Sequence, residues 1–287
     1  MPGHVQIIGI ILLVVFAVVA AFVAAGVLRW RVGTRQLRTR LDASRVTIEP
    51  RVVDFRELAS LPAPVQRYFR KVIEDGQPVV AGARVKHRGK FNIGDTIERW
   101  KPFKSNQRVV TQRRGFDWDA RVSMMPGFTV CVHDSYVAGE GGLRAAFLGL
   151  FSLIAMRGTH DVAEGQLMRY LAEATWYPTA LLPSQGVSWK GVDDRSARAT
   201  LVDGEVTLSM LFTFTDDDLV DTVSAEARGR AVGDSVIPTP WQGRVWNYQT
   251  RDGMLVPLQG EVAWIFPEGA RPYWRGRITE IEYELEG

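Results

Sequence analysis

The chain begins with an unbroken apolar run. Ile7 to Leu28 contains 22 residues without a charge or a hydrogen-bonding side chain. As an α-helix this run is about 33 Å long, which is enough to cross a hydrocarbon core of about 30 Å. A cleaved signal peptide is disfavoured because Met1 to Gln6 contain no Lys or Arg and the run exceeds the usual ~7–15 apolar residues. We therefore predict a single transmembrane anchor in residues 1–28.

Further along the chain, apolar and polar residues alternate with a period of two. The clearest run is Phe116 to Met124, and Val206 to Phe214 and Arg277 to Leu285 repeat the pattern. This period is typical of half-buried strands, and the runs are separated by turns rich in Gly, Asp and Pro. The pattern predicts a meandering antiparallel sheet.

Three segments interrupt the alternation. Leu61 to Gly76 has helical spacing with prolines in its first turn, and Glu164 to Trp176 also has one apolar helical face. Ala145 to Met156 is uncharged and mostly apolar but too short to span a bilayer. For this last segment we expect a buried connecting helix, with a lid over a lipid pocket as the alternative.

These elements predict a mainly β domain over residues 61–287. We expect an antiparallel open barrel or a strongly curved sheet, with a small helical insertion over its concave side and one transmembrane helix before it. The domain contains eight of the nine Trp residues. Their wide rings fit either a filled core or a sheet that encloses an apolar cavity, and packing is the commoner use of such rings.

The basic charge is concentrated in one short segment. Arg29 to Arg51 contains seven Arg against Asp42 and Glu49, a net charge of +5, so a chain of net charge +3 leaves about −2 for residues 52–287. A slightly acidic domain lacks the positive surface of a nucleic-acid-binding protein. We therefore expect no nucleic-acid partner.

Residues 29–60 are predicted to form a basic juxtamembrane linker. Its arginines are expected to face anionic headgroups, and Trp30 is expected to lie at the membrane interface. Positive charge on this side favours a single-pass protein of the cell membrane with its domain on the cytoplasmic face. The predicted headgroup contacts are Arg29, Arg31, Arg35, Arg38 and Arg40.

Several short strings, spread over nearly all of the predicted domain, carry a resemblance to a known family. They are Glu98-Arg99-Trp100-Lys101-Pro102-Phe103, Gly115-Phe116-Asp117-Trp118, Arg169-Tyr170-Leu171-Ala172-Glu173, Trp176-Tyr177-Pro178, Leu181-Leu182-Pro183, Pro240-Trp241-Gln242-Gly243-Arg244, Gly260-Glu261-Val262-Ala263-Trp264 and Tyr273-Trp274-Arg275-Gly276. These strings resemble an uncharacterised bacterial family defined only as a domain of unknown function, and the resemblance implies no activity. More weakly, the predicted architecture is similar to Lol-type lipoprotein carriers and mycobacterial lipid carriers, which implies an open barrel that holds acyl chains under a helical lid.

Arg169 and Glu173 lie four residues apart on the helix predicted from Glu164 to Trp176. An ordinary surface ion pair is the simpler interpretation. The alternative is a polar group inside the concave side of the sheet, which would need further polar partners. The candidate ligand-binding residues are Tyr136, Glu140, Arg169, Glu173, Trp176, Arg244 and Glu261.

No catalytic residue, metal or cofactor is predicted. Asp117 and Asp119 share one face of a strand, where we expect them to be solvated. The pairs at His133-Asp134 and His160-Asp161 lack the spacing of a metal site, and the single cysteine, Cys131, excludes an intramolecular disulfide.

Three functions fit these observations. The leading hypothesis is a membrane-tethered domain that binds an apolar or amphiphilic, lipid-like ligand. The second is an enzyme of unrecognised type, which requires Glu140, Arg169, Glu173 and Glu261 to converge in one cavity. The third is an anchored scaffold for other proteins, which requires an apolar patch on the outside of the sheet.

Overall fold

The protein is mainly β. A computed structural model describes residues 2–46, 51–94, 97–232 and 235–285. Within them, the strands are β1 Val80–Asn92, β2 Trp100–Val110, β3 Gly115–Met125, β4 Phe128–Val137, β5 Glu140–Phe147, β6 Phe151–Arg157, β7 Val187–Asp193, β8 Ser196–Asp203, β9 Val206–Phe214, β10 Val220–Val232, β11 Ser235–Arg251, β12 Met254–Phe266 and β13 Gly269–Leu285. The α-helices are α1 Pro2–Ala43, α2 Ala63–Val72 and α3 His160–Glu173, and short 3-10 helices cover Phe55–Ser60, Ala174–Trp176, Pro178–Leu181 and Pro183–Gln185.

All thirteen described strands belong to one antiparallel sheet. Their order is β6-β5-β4-β3-β2-β1-β13-β12-β11-β10-β9-β8-β7, so the first and last strands pair in the middle of the sheet. Phe91 of β1 pairs with Trp274 of β13, and Val80 pairs with Leu285. β6 and β7 are the two edges and do not pair with each other, so the sheet is curved but not closed. The predicted fold class is confirmed.

The helices fill and flank the concave side of this sheet. α3 contacts β4 and β5 on one side and β9 and β10 on the other, and it buries Leu167 and Leu171. Its first turn is capped by Thr159, whose side chain accepts a hydrogen bond from the amide of Val162. α2 buries Tyr68 and contacts β7, β8 and β12. The predicted helical insertion on the concave side is thus present.

The segment from Ala145 to Met156 is neither a buried helix nor a lid, and that prediction was wrong. It forms the end of β5, a tight turn and most of β6, with Ala145 paired to Ile154. Leu148 and Gly149 have φ angles of 52° and 73°, which an α-helix cannot contain. The sequence has no polar alternation here because β6 is apolar on both faces and largely exposed, and short apolar runs do not distinguish strand from helix.

The N-terminal helix does not end at Leu28. α1 continues to Ala43 and packs its last four turns on the convex face of the sheet, where Leu41 is buried with Val110 and Val137. Trp30 lies against β4 and β5 and is only 1% exposed, so its ring faces the sheet and not lipid headgroups. Among the described residues, one helix is long and apolar enough to cross a membrane, Gln6–Ala43.

Candidate functional site

A cavity of about 490 Å³ lies between α3 and the concave face of the sheet. Strands β3 to β6 form one wall, and β10 and β11 form the opposite wall. Most of the lining is aliphatic because these side chains are the inward-facing members of the alternating strands. The apolar lining residues of this outer cavity include Ile93, Val122, Met124, Val130, Val132, Leu143, Ala145, Leu153, Ile154, Met156 and Val236.

The outer cavity continues into an inner cavity of about 100 Å³. Phe91, Asp134, Arg228 and Tyr273 line both, so the two are contiguous. The inner cavity has a different character, since four indole rings surround a small number of charged groups. The rings belong to Trp118, Trp176, Trp241 and Trp274.

Arg169 is the central charged residue of the inner cavity. Its guanidinium donates hydrogen bonds to Asp134 and, at 2.6 Å, to Glu173, and it lies 4.7 Å from the centre of the Trp118 ring. Gln107 donates to the second oxygen of Glu173 at 2.6 Å. Arg169 and Glu173 are only 14% and 13% exposed, so the simpler interpretation of an ordinary surface pair was wrong. The pair is buried because this face of α3 points into the concave side of the sheet.

Polar atoms without partners surround these cavities. Trp118 Nε1, Trp176 Nε1, Gln166 Oε1 and Asp134 Oδ1 are buried and have no hydrogen-bond partner among the described residues. Such groups are normally satisfied, because an unpaired buried polar atom costs free energy. Burial raises the pKa of Asp134, and Arg169 opposes that shift. These four atoms have almost no accessible surface, so they lie within the walls of the cavities and do not face the open volume.

Arg228 lies where the two cavities meet. It donates to the carbonyl of Gly165 at 3.0 Å and to Tyr273 Oη at 3.3 Å, and its guanidinium lies 5.1 Å from the centre of the Trp241 ring. Trp241 Nε1 also donates to Tyr273 Oη, at 2.9 Å. No carboxylate of the described residues forms an ion pair with Arg228. Its charge is thus available to an anionic or acceptor-rich group in the cavity.

Five of the seven candidate residues line the inner cavity. Arg169, Glu173 and Trp176 are in its interior, whereas Arg244 and Glu261 are at its rim. The rim residues have partners outside the cavity: Arg244 donates to Asp221 at 3.2 Å, and Glu261 accepts from Arg275.

The other two candidate residues lie elsewhere. Tyr136 donates to Asp203 at 2.6 Å, away from both cavities. Glu140 is exposed and accepts hydrogen bonds from Arg40 at 2.9 Å and from Arg157 at 2.8 Å. Both residues stand at the ends of their strands beside a turn, and sequence alone does not tell which end of a strand faces a cavity.

Sequence reasoning missed Arg228 and Tyr273. Arg228 is in a stretch of β10 where apolar and polar residues do not alternate, because the pairing with β11 shifts register between Ala225 and Arg228. Tyr273 belongs to one of the strings that carried the family resemblance, and this was the one signal that pointed to it.

A model of a family of unknown function, DUF6920, matches residues 59–283. The chain belongs to the DUF6920 family. The match spans α2, α3 and nearly the whole sheet, so the predicted membership of an uncharacterised family is confirmed. No curated protein matches the chain.

Two solved structures are similar to the DUF6920 chain. A LolA superfamily protein from Nitrosomonas europaea has 13% sequence identity and a TM-score of 0.34, over 76% of this chain and 93% of that one. A beta-barrel-like protein of the DUF1849 domain of unknown function from Brucella abortus has 11% identity and a TM-score of 0.20, over 72% of this chain and 100% of that one. The weaker resemblance to Lol-type proteins is thus present, and it concerns the fold alone.

The convex face of the DUF6920 sheet carries a second polar cluster, where α1 packs. Asp117 is fully buried and accepts a hydrogen bond from Arg38 Nε at 2.7 Å. Asp119 accepts from Trp30 Nε1 at 2.8 Å and also from Arg121. The expectation that both carboxylates are solvated was wrong, because α1 covers the face of β3 that a one-sided sheet exposes to water.

His133 completes this cluster. Its ring stacks on Trp30 at 4.7 Å, and its Nε2 lies 3.1 Å from the hydroxyl of Thr34. The same nitrogen is 3.6 Å from Asp117 and 3.5 Å from Asp119. The described residues contain no group of three or more His, Cys, Asp or Glu side chains arranged to hold a metal ion.

We expect the two buried members of this cluster to affect stability with opposite dependence on pH. Burial raises the pKa of Asp117 to about 6, so its contribution to stability is lost as the pH rises from about 4 to 6. Burial lowers the pKa of His133 to about 4, so its contribution is lost as the pH falls from about 6.5 to 4. Each effect is on the order of 3 kcal/mol.

Denaturant unfolding at pH 4 and pH 6.5 tests this expectation. Asp117→Asn should lower the free energy of unfolding, relative to the wild type at the same pH, by more at pH 4 than at pH 6.5. For His133→Gln the larger loss should be at pH 6.5. The other titratable groups are common to both variants, so their contributions to the pH dependence of stability cancel when the two variants are compared. If the stability of the two variants changes equally between pH 4 and pH 6.5, Asp117 and His133 do not have the opposite effects expected here.

Proposed function

We propose that this protein is a membrane-tethered binding domain for a lipid-like amphiphile. The observation that carries the proposal is the outer cavity of about 490 Å³, lined mostly by apolar side chains and adjoining an inner cavity in which Trp rings surround a few charged groups. Ligand sites commonly enclose about 300–1,000 Å³ and combine an apolar lining with a few polar groups that fix orientation.

The apolar part of the ligand is assigned to the outer cavity. Val122, Val132, Leu143 and Ala145 come from neighbouring strands and present a continuous aliphatic wall. An alkyl chain transferred from water to such a wall gains about 0.8 kcal/mol for each buried CH₂ group. This surface offers no hydrogen bonds, so it selects for apolar bulk and not for a particular functional group.

The polar part of the ligand is assigned to the junction of the two cavities. Arg228 lines both cavities and forms no ion pair with a carboxylate of the described residues. Arg169 is already neutralised by Asp134 and Glu173. A carboxylate or phosphate therefore fits the junction best, as a charge-assisted partner of Arg228.

The tether is assigned to the apolar part of α1, and the domain to the cytoplasmic face. Arg29, Arg31 and Arg35 are exposed on this helix and are available to anionic headgroups. Arg38 and Arg40 instead pair with Asp117 and Glu140 on the domain. The basic segment thus has two roles, one toward the bilayer and one toward the sheet.

A cavity-filling substitution tests the proposal. Ala145 is 6% exposed and faces the outer cavity, so Ala145→Phe occupies part of the space assigned to the alkyl chain. We expect native mass spectrometry of the full chain, released from detergent, to detect a bound lipid or added fatty acid on the wild type. The variant should have at least tenfold lower occupancy, equivalent to about 1.4 kcal/mol or more.

The matched control is Val202→Phe. Val202 is 54% exposed on β8 and lines neither cavity. It adds the same side chain to a strand without filling the cavity, so lipid occupancy should equal that of the wild type. A wild-type protein that carries no lipid and takes up no fatty acid would overturn the proposal.

The arrangement of charged residues favours binding over catalysis. The enzyme hypothesis required Glu140, Arg169, Glu173 and Glu261 to converge. Glu140 is outside the cavity, and Glu261 is held by Arg275 at the rim. Arg169 and Glu173 neutralise each other, so these four residues do not form one reactive group.

A further inference from the structure

The two ends of the curved sheet differ in polarity. In an antiparallel meander alternate turns lie at the same end, so the turns β1–β2, β3–β4, β5–β6, β10–β11 and β12–β13 share one end. The β8–β9 turn departs from this rule, because Asp203 beside it contacts Tyr136 and Arg114 at the opposite end. Nine of the fifteen large apolar side chains that are exposed outside α1, among the described residues, lie in or within four residues of these turns. They are Ile93, Ile97, Met125, Phe128, Phe151, Leu153, Ile154, Val232 and Ile237.

At the apolar end, the β3–β4 and β5–β6 turns contain no charged residue, whereas the β1–β2 and β12–β13 turns carry, in or beside them, exposed Glu98, Arg99, Glu268 and Arg271. The opposite end is also charged. The β2–β3 turn contains Arg113 and Arg114, and the β9–β10 turn contains Asp216, Asp217 and Asp218. An exposed apolar group of this size, concentrated at one end, is unusual for a surface that contacts water, and it marks an interaction site.

α1 leaves the domain at the apolar end. Its contacts move along the sheet from Leu41, beside Gly115, through Trp30, beside Cys131, to Gly26 at the β5–β6 turn. Gly26 is in close contact with this turn: a Cβ placed on it would lie 2.8 Å from Leu150 Cγ. Residues before Gly26 are therefore beyond the sheet, and their side chains from Ile7 to Val23 are exposed.

The length of the part of α1 that lies before the sheet places the β5–β6 turn at a defined depth in the bilayer. From Ile7 to Gly26 the helix has 20 residues, or about 30 Å. That length equals the hydrocarbon core of a bilayer, about 30 Å. Arg29 is the first charged residue after the apolar run. The boundary of the hydrocarbon region thus falls at Gly26, where the β5–β6 turn packs.

The outer cavity opens at this same end. Ile93, Met124, Leu153 and Val236 line it, and all four are in or beside the turns of the apolar end. β6 is an edge strand that pairs with β5 on one side and with no strand on the other. Its Leu153 is 58% exposed and also lines the cavity. One apolar surface therefore runs from the outside of the domain into the cavity.

We propose that the apolar end of the sheet is seated in the bilayer surface beside α1, and that the cavity exchanges its ligand directly with the membrane. The β5–β6 turn and β6 form the inserted edge. The occupant of this surface is lipid, because the helix fixed to it is the membrane anchor. The part that concerns ligand exchange rests on the proposed function, whereas the contact with the bilayer does not.

Spin labels in the full-length protein test the contact with the bilayer. In a Cys131→Ala background, labels are placed at Phe128→Cys and Phe151→Cys at the apolar end and at Asp217→Cys at the opposite end. The chain is reconstituted in nanodiscs of phosphatidylcholine and phosphatidylglycerol. Oxygen concentrates in lipid and a nickel chelate remains in water, so we expect the first two labels to favour oxygen over the chelate several-fold more than the third.

Two outcomes overturn the contact. Equal accessibility at Phe151 and Asp217 would place the apolar end in water. Protection of the Phe151 label from oxygen and chelate alike would place a protein surface there, either a second copy or another chain.

Ligand exchange has its own readout. A fluorescent fatty acid should transfer from vesicles to the protein about tenfold more slowly in Phe151→Asp, since a charge here opposes seating in lipid. Phe151 lines neither cavity, so occupancy from vesicle-free solution should not change. If Phe151→Asp does not slow the transfer of fatty acid from vesicles, direct exchange between the membrane and the cavity is overturned. If neither the wild type nor Phe151→Asp binds fatty acid while the spin labels still report lipid, the proposed function is wrong and the contact with the bilayer stands.

Discussion

Replacing Arg169 with methionine is expected to destabilise the protein by about 3–5 kcal/mol, the cost of removing one partner from a buried ion pair. The substitution removes the cation that is hydrogen-bonded to both Asp134 and Glu173 and leaves these two carboxylates buried together. It also removes the guanidinium from the face of Trp118. Methionine keeps the length of the side chain, so the loss comes mainly from charge and hydrogen bonding. Denaturant unfolding of the full chain in detergent measures it.

A matched surface pair provides the control. Arg198 donates to Glu226 at 3.1 Å, and these side chains are 39% and 85% exposed. Because an exposed ion pair contributes about 0–1 kcal/mol, Arg198→Met should change stability by no more than that.

A second substitution tests whether the loss of stability comes from the unpaired carboxylates. In the Arg169→Met background, Asp134→Asn removes one of the two uncompensated charges and should restore part of the loss. If Arg169→Met costs no more than Arg198→Met, the ion pair is not buried in the way that the structure describes.

The strands could be predicted wherever only one side of the sheet is apolar. Phe116 to Met124 alternates because Phe116, Trp118 and Ala120 point into the core, and this run became β3. β6 could not be predicted in this way, since both of its faces are apolar and none of its residues is fully buried. Alternation reports a contrast between the two faces of a strand, and it is absent where the side chains on both faces are apolar.

Asp117 illustrates a different limit. The alternation in its strand predicts a sheet with one face in water, and this would be true of the sheet without α1. The acidic face is covered by α1, a helix almost 80 residues earlier in the chain. One signal was present: Trp30, Thr34, Leu37 and Leu41 follow helical spacing through the predicted linker, which indicates a helix with a packed face.

The candidate site was predictable in composition but not in arrangement. Arg169 and Glu173 were identified by their spacing on a helix, and the structure places both in the inner cavity. The same reasoning grouped Glu140 with them, although Glu140 is exposed near the opposite end of β5 from the apolar turns. Spacing in sequence fixes neighbours within one element, whereas neighbours across a curved sheet depend on register and curvature.

The packing of α1 on the sheet depends most on Trp30. Its indole is 1% exposed, stacks on His133, donates to Asp119 and lies between the guanidinium groups of Arg121 and Arg144, 5.4 Å and 5.2 Å from the ring centre. Each of these contacts joins the helix to β3, β4 or β5. The ring therefore couples the membrane anchor to the wall of the cavity.

Trp30→Ala is expected to weaken this packing by about 3–5 kcal/mol, as for other buried Trp→Ala substitutions. The helix should separate from β3 and β4, so trypsin should cleave after Arg31 and Arg35 faster than in the wild type, with the full chain in detergent. Phe22→Ala is the matched control, because Phe22 is an aromatic residue of the same helix that is 60% exposed and touches no strand. Unchanged trypsin resistance of Trp30→Ala would mean that the other contacts of α1, such as the Arg38–Asp117 ion pair and the packing of Leu41 on Val110, hold the anchor on the domain. The depth of the apolar end would then not be fixed by the Trp30 ring.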